Sequence, residues 1–173
     1  MTETRPRSSP GRPRELLLHV GASKTGTSAL QAGLTASVDA LAAQGVGLPL
    51  PDRRANVRRL LRPLGWETAR GFVHDVDPAG LQRLGRLLGD ADGERLVVSC
   101  EDLCEADEPR VRALVRCLED AGLRPTVVLT VRSLASVVPS EWQQFLKHRV
   151  TLDYPTFLAR VRDHEGPEAS HFW

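Results

Sequence analysis

Three short, mainly apolar runs along the chain predict buried β-strands, because each is too short to form a core helix. They lie at Leu16–Val20, Leu96–Cys100 and Thr126–Val131. Between and after these runs, leucine and valine recur at helical spacing. This spacing predicts helices at about 27–44, after the Asp77-Pro78 start, at 111–118, at 133–148 and around 157–161. Strands that alternate with helices predict a three-layer α/β/α fold around a parallel sheet.

Two segments of the chain show neither the spacing of a helix nor the pattern of a strand. Residues 1–13 are rich in Arg, Pro, Ser and Gly, and we interpret them as a disordered basic tail ahead of a single domain over residues 14–173. Residues 49–77 offer a short basic helix near Val57–Leu64, interrupted by Pro63, and otherwise predict loop.

Composition excludes several classes of protein. The 173 residues are 41% hydrophobic and 26% charged, with a formal net charge of +1. That balance disfavours a nucleic-acid coat or a polybasic membrane protein. No apolar run approaches the ~20 residues of a membrane-spanning helix, and no secretory leader is evident. The three cysteines form no CxxC pair, which favours a reducing, cytoplasmic setting. We expect Cys100 and Cys104 to be small core residues rather than metal ligands.

Candidate chemistry lies where the predicted strands end, because ligands bind beyond the carboxyl ends of parallel strands. The first such segment runs from Gly21 to Ser28 and joins a strand to a helix N-terminus, an arrangement that binds phosphate. It is not a Walker A loop, since Thr27 follows Gly26 and the lysine, Lys24, comes earlier. The alternative is a plain turn in which Thr27 or Ser28 caps the helix. Only Lys24 and Lys147 are lysines among 23 cationic residues, which favours a specific role for Lys24.

The segment His19–Gln31 resembles the 5′-phosphosulfate loop of the sulfotransferase family, whose usual Lys-x-Gly-Thr-Thr/Ser pattern matches Lys24 to Ser28. Members are similar to P-loop kinases in fold, so the resemblance implies a P-loop-like parallel sheet. They use 3′-phosphoadenosine 5′-phosphosulfate (PAPS) as sulfuryl donor and need no metal. The resemblance implies that Lys24 contacts the bridging oxygen of the phosphosulfate. It also implies a cofactor-binding loop, made of Ser23, Lys24, Thr25, Gly26, Thr27 and Ser28. Many members carry an adenine-stacking aromatic residue after the loop, where this chain has Ala29.

The third strand is followed by Arg132 and, eight residues on, by Ser140. A guanidinium and a hydroxyl can converge on one phosphate, although in an Arg-rich chain this spacing also arises without function. Bacterial sulfotransferases are similar over Val128–Lys147, and the resemblance implies that Arg132 and Ser140 hold the 3′-phosphate of PAPS.

The second strand ends at Glu101-Asp102, within a segment similar to the Ser-x-Glu region of bacterial sulfotransferases. Sulfuryl transfer needs a base to remove the proton of the acceptor, and we predict Glu101 for this role, with Asp102 behind it. The alternative is an acidic cap of the next helix.

The sequence therefore predicts sulfuryl transfer from PAPS to a hydroxyl or amine of a small-molecule or carbohydrate acceptor. Two alternatives stay open: an ATP-dependent kinase-like phosphotransferase, and a catalytically inactive nucleotide-binding module. Family members continue beyond the point that matches Trp173, so we expect a C-terminally short version of the domain. A missing strand would leave a sheet edge exposed, and we expect that edge to favour self-association.

Overall fold

A computed structural model describes residues 13–67, 71–147 and 151–166 of the chain. The chain divides into two compact units, one ending at Thr130 and one beginning at Val131, and each is described by itself. Residues 1–12 of the predicted tail lie outside the described residues. The single domain over residues 14–173 stays a prediction.

The first unit is built on strands that alternate with helices, as the sequence predicts. Its strands are β1 (Arg14–His19), β2 (Val46–Gly47), β3 (Trp66–Glu67), β4 (Gly71–Phe72), β5 (Arg95–Ser99) and β6 (Leu123–Val128). Four of them form a parallel sheet in the order β2-β5-β1-β6, and β3 pairs with β4 in an antiparallel ribbon. The sheet is flanked by helices, so the predicted α/β architecture is confirmed.

The helices of this unit surround the sheet. They are α1 (Thr27–Ala36), α2 (Val38–Ala43), α3 (Arg53–Asn56), α4 (Pro78–Gly89) and α5 (Glu108–Asp120). A π-helical turn, Val57–Leu61, and a 3-10 turn, Arg62–Leu64, continue α3. The second unit contains α6 (Leu134–Lys147) and α7 (Tyr154–Asp163). No helix among the described residues is both long and apolar enough to cross a membrane.

The sheet register explains the core. Leu16 lies beside Leu96 and Leu18 beside Val98, and all four side chains are buried. Side chains alternate between the faces of a strand, so these residues share one face. They join leucines of α4, α5 and the segment after α3 in one apolar cluster. The same register aligns the carboxyl ends of β1, β5 and β6, where the predicted site lies.

The structure differs from the sequence-based expectation in several places. The helix expected over residues 27–44 is interrupted at Ser37, which separates α1 from α2. Strand β6 begins and ends three residues before the predicted run, because its pairing with β1 starts at Leu123. Residues 49–77, expected to be mostly loop, also contain the β3-β4 ribbon.

Candidate functional site

The loop after β1 has an unusual backbone. Gly21, Lys24 and Gly26 have φ values of 56°, 62° and 89°, in the left-handed region that favours glycine. A Cβ on Gly21 would also lie 2.6 Å from Thr27 Cγ2. Lys24 has no such freedom, and a non-glycine residue with positive φ is often a sign of functional strain. The loop is therefore wound into a tight turn with Lys24, half-buried, at its centre.

Hydrogen bonds fix this turn to the end of the sheet. Thr25 Oγ1 donates to the carbonyl of Ala22 at 2.7 Å and lies 2.8 Å from Thr130 Oγ1. The backbone N–H of Ala22 donates to the Thr130 carbonyl at 3.2 Å. The Thr25 hydroxyl therefore makes its hydrogen bonds within the protein. The predicted contact of Thr25 with a cofactor would have to come from its backbone N–H.

The turn ends at the N-terminus of α1. Gly26 is the N-cap, and the hydrogen bonds of α1 begin with the N–H of Ala29, which donates to the Gly26 carbonyl at 3.0 Å. The first N–H groups of a helix have no intrahelical acceptor, and the helix dipole makes this end electropositive. No side chain caps α1. Capping of α1 by Thr27 or Ser28 is therefore wrong, whereas a role for this turn in binding an anion stays a prediction.

Glu101 lies directly beside this helix end. It begins a 3-10 turn, Glu101–Glu105, and its carboxylate accepts a hydrogen bond from the Thr27 hydroxyl. The guanidinium of Arg53, on α3, lies 3.5 Å from Glu101 and 3.0 Å from Asp102. The N-cap of the turn is Cys100 and no side chain caps it, so the capping alternative for Glu101 is not supported by its contacts.

Burial shifts the pKa values of side chains close to Glu101. Burial raises the pKa of the Asp102 carboxyl above its ordinary value, while Arg53 opposes that rise. Burial also raises the pKa of Cys100 to about 12, so this side chain is a thiol at neutral pH. Cys100 is buried as predicted, whereas Cys104 is exposed and its expected core position is wrong. No group of three or more His, Cys, Asp or Glu side chains could hold a metal within the described ranges.

His19 connects the ends of three neighbouring segments. Its Nδ1 lies 2.8 Å from Ser99 Oγ and its Nε2 lies 3.1 Å from Thr130 Oγ1. The ring is buried, and burial lowers its pKa, although the nearby Glu101 charge acts in the opposite direction. His19 therefore supports the loop as a buried ring whose burial favours the neutral form.

The predicted 3′-phosphate residues belong to the second unit. Strand β6 ends at Val128, so Arg132 does not follow the strand directly as expected but lies in the segment before α6. Arg132 is exposed, whereas Ser140 is half-buried within α6, next to the buried Glu141. Their convergence on one phosphate together with the loop of the first unit stays a prediction.

Three residues at the site were missed from the sequence. Arg53 holds the acidic pair, and the amides of Gln31 and Asn56 both donate to the Ser99 carbonyl, at 3.3 Å and 2.7 Å. Gln31 lies four residues after Thr27 and therefore on the same face of α1. That spacing could have indicated it, whereas Arg53 and Asn56 come from a segment without a periodic pattern.

The chain was compared with known proteins in three ways. No protein-family model matches it, and searches of curated proteins and of solved structures find no match either. The function is therefore argued from the site and from the motifs of the sequence.

Proposed function

We propose that the chain binds PAPS and transfers its sulfuryl group to a hydroxyl or amine. The observation that carries this proposal is the contact between Thr27 and Glu101 at the end of the lysine-bearing loop. It unites an anion-binding helix N-terminus with a carboxylate that can act as a base. The match of Lys24–Ser28 to the sulfotransferase loop supports PAPS as the donor.

In the proposed reaction, the acceptor oxygen or nitrogen attacks sulfur and the bond from sulfur to the bridging oxygen breaks. Glu101 takes the proton of the acceptor, and adenosine 3′,5′-bisphosphate leaves. Lys24 stabilises the negative charge that develops on the bridging oxygen, and the N–H groups of Gly26, Thr27 and Ser28 bind the 5′-phosphate. Fixed charges that act on the transition state, rather than on the bound donor, raise the rate.

The same contact favours a second candidate, phosphoryl transfer from ATP with Mg²⁺. In P-loop enzymes a loop Ser or Thr and an acidic residue from a neighbouring strand hold Mg²⁺. Thr27 and Glu101 have this relation. We favour sulfuryl transfer because Lys24 precedes Gly26, whereas the lysine of a Walker A loop follows the glycine directly.

Calorimetry with the full chain separates the two candidates. We expect adenosine 3′,5′-bisphosphate to bind without Mg²⁺ and more tightly than adenosine 5′-phosphate. Each lost charge-assisted contact should weaken binding by about 1.5–3 kcal/mol. Equal affinity for the two nucleotides, or binding of ATP that requires Mg²⁺, would overturn the proposal.

Three variants assign the residues. Lys24→Ala should slow transfer by about 10²–10³-fold with little change in bisphosphate affinity, whereas Lys147→Ala should change neither. Arg132→Ala should weaken binding of the bisphosphate but not of adenosine 5′-phosphate. If the wild-type chain binds the bisphosphate and transfers sulfuryl to no acceptor, it is the inactive nucleotide-binding module instead.

A further inference from the structure

The hydroxyl of Thr130 lies between two polar side chains of the first unit. Thr130 comes two residues after the end of β6, and its Oγ1 lies 2.8 Å from Thr25 Oγ1 and 3.1 Å from His19 Nε2. The backbone carbonyl of Thr130 also accepts a hydrogen bond from the N–H of Ala22, at 3.2 Å. Thr130 therefore contacts the lysine-bearing loop through both its side chain and its backbone, although neither the motifs of the sequence nor the proposed function gives it a role.

The directions of these hydrogen bonds follow from one carbonyl group. A carbonyl oxygen can only accept, so the Thr25 hydroxyl uses its single proton to donate to the carbonyl of Ala22, at 2.7 Å. Thr25 Oγ1 must then accept from Thr130 Oγ1, since one of these two hydroxyls has to donate. The proton of Thr130 is used in that bond, so Thr130 Oγ1 can bind His19 Nε2 only as an acceptor. His19 Nε2 therefore carries a proton.

The other ring nitrogen of His19 extends this series of bonds to β5. Burial lowers the pKa of His19, so at about pH 7.5 the ring is neutral and holds one N–H proton. With that proton on Nε2, Nδ1 is an acceptor, and Ser99 Oγ donates to it at 2.8 Å. Five groups thus form a hydrogen-bond chain in which each donates to the next: Ser99, His19, Thr130, Thr25 and the carbonyl of Ala22.

The last bonds of this hydrogen-bond chain enclose the strained residue of the loop. Lys24 has a φ of 62°, and it lies between Ala22 and Thr25 in the sequence. A non-glycine residue keeps a left-handed conformation only where the surrounding structure holds it there. The bond from Thr25 to Ala22 closes the backbone around Lys24, and Thr130 holds both of these neighbours at the end of the sheet.

We propose that Thr130 is a positioning residue of the lysine-bearing loop: its hydroxyl accepts from His19, donates to Thr25, and thereby holds Lys24 in its left-handed conformation. That this conformation is the one that binds the phosphosulfate group rests on the proposed function. The hydrogen-bond chain itself does not, since it depends only on contacts within the first unit.

Nuclear magnetic resonance of the full, ¹⁵N-labelled chain tests the hydrogen-bond chain without any ligand. At about pH 7.5, we expect the His19 ring to carry its proton on Nε2, and we expect that proton to exchange slowly with water. His19→Gln identifies the His19 signals among those of the five histidines. A proton on Nδ1 instead would overturn the proposal, and this measurement on the wild-type chain needs no stable variant of Thr130.

Two substitutions of Thr130 separate its hydroxyl from its shape. Thr130→Val keeps the shape and removes the hydroxyl, so the Nε2 proton of His19 should exchange faster and the backbone amide signal of Lys24 should shift. Thr130→Ser restores a hydroxyl and should keep both signals close to those of the wild type. The matched control is Thr126→Val, the same change at an exposed position of β6, which should leave both signals unchanged. Equal changes in the two valine variants, or unchanged signals in Thr130→Val, would mean that Thr130 does not position the loop.

Calorimetry with adenosine 3′,5′-bisphosphate measures the effect on binding. Thr130→Val should weaken binding by about 3–10-fold, because the loop then adopts its binding conformation in fewer molecules. Thr130→Ser should recover most of the affinity, and an undiminished affinity in Thr130→Val would overturn the role of Thr130 in binding. A wild-type chain with the expected His19 proton but no affinity for the bisphosphate would keep the hydrogen-bond chain and would overturn the proposed sulfuryl transfer.

Discussion

Two pairs of helices in the first unit are held in different ways. Helices α4 and α5 bury leucines such as Leu84 and Leu118, each 1% exposed, in the apolar cluster beneath the sheet. Helices α1 and α2 contribute a single buried residue, Thr27, and their Leu30 and Val38 are both 41% exposed. Apolar burial is the main favourable term in folding, so of these two pairs α4 and α5 contribute far more to it.

Hydrogen bonds attach α1 instead. Thr27 donates to Glu101, Gln31 donates to the Ser99 carbonyl, and Thr35 donates to the Pro51 carbonyl at 2.6 Å. Each such bond contributes only about 0.5–1.5 kcal/mol net. The candidate site is therefore built on the polar, weakly attached side, where substitutions should change chemistry more than stability.

The largest expected effect on that side follows from Glu101→Gln. The amide cannot take a proton from the acceptor, so sulfuryl transfer should fall by about 10²–10⁴-fold. Stability should change by less than about 1 kcal/mol, because the lost ion pair joins Glu101 to an Arg53 side chain that is 54% exposed. Initial rates and urea unfolding measure the two quantities. Glu105→Gln, in the same turn, is the control, and an equal loss of rate there would argue against a base at Glu101.

On the packed side, Leu84→Ala should destabilise the chain by about 2–5 kcal/mol, since it leaves a cavity in the core. Leu30→Ala removes the same atoms from an exposed position of α1 and should cost less than about 1 kcal/mol. Urea unfolding of both variants measures the contrast. Similar losses would mean that α1 is packed as tightly as α4, which would remove the distinction between the two sides.

The sequence predicted the parts of the fold that depend on local pattern. Strand β5 and helix α4 were found because their apolar positions are regular and Pro78 marks the helix start. Strand β2 was missed because it has two residues and exists only through its pairing with Arg95 and Leu96. Periodicity also did not reveal the break at Ser37, since the apolar spacing continues through it.

Some residues of the candidate site could likewise be located from the sequence, and others could not. The loop after β1 and Glu101 could be located because each follows a strand, and the ends of parallel strands meet. Arg53 and Asn56 could not, because their contacts with Asp102 and Ser99 depend on how residues 49–77 fold back onto β5. That arrangement depends on contacts between residues far apart in the sequence, and such contacts produce no periodic pattern that could reveal them.

A smaller effect should follow from two glycines of the polar side. Gly21→Ala forces a Cβ against Thr27 in a left-handed conformation and should cost about 1–3 kcal/mol of stability, with weaker binding of the bisphosphate. Gly33→Ala, in the middle of α1, meets nothing within 4 Å and should stabilise the chain by about 0.4–1 kcal/mol. Thermal unfolding and calorimetry measure both, and a neutral Gly21→Ala would mean that the loop does not need its tight turn.

The smallest expected effect is a dependence of stability on pH through His19, which joins the loop to the packed sheet. Burial lowers the pKa of the folded ring below the ordinary value of 6.5. The unfolded chain therefore binds more protons as the pH falls through 6.5, and the free energy of unfolding should decrease there and level off below the folded pKa. His19→Gln should remove this part of the slope, whereas His74→Gln, at an exposed position, should retain it. Urea unfolding at about pH 7.5 and about pH 5 measures the slope across the range in which histidine titrates. A His19→Gln variant with the wild-type slope would mean that the ring is not held neutral by its burial between Ser99 and Thr130.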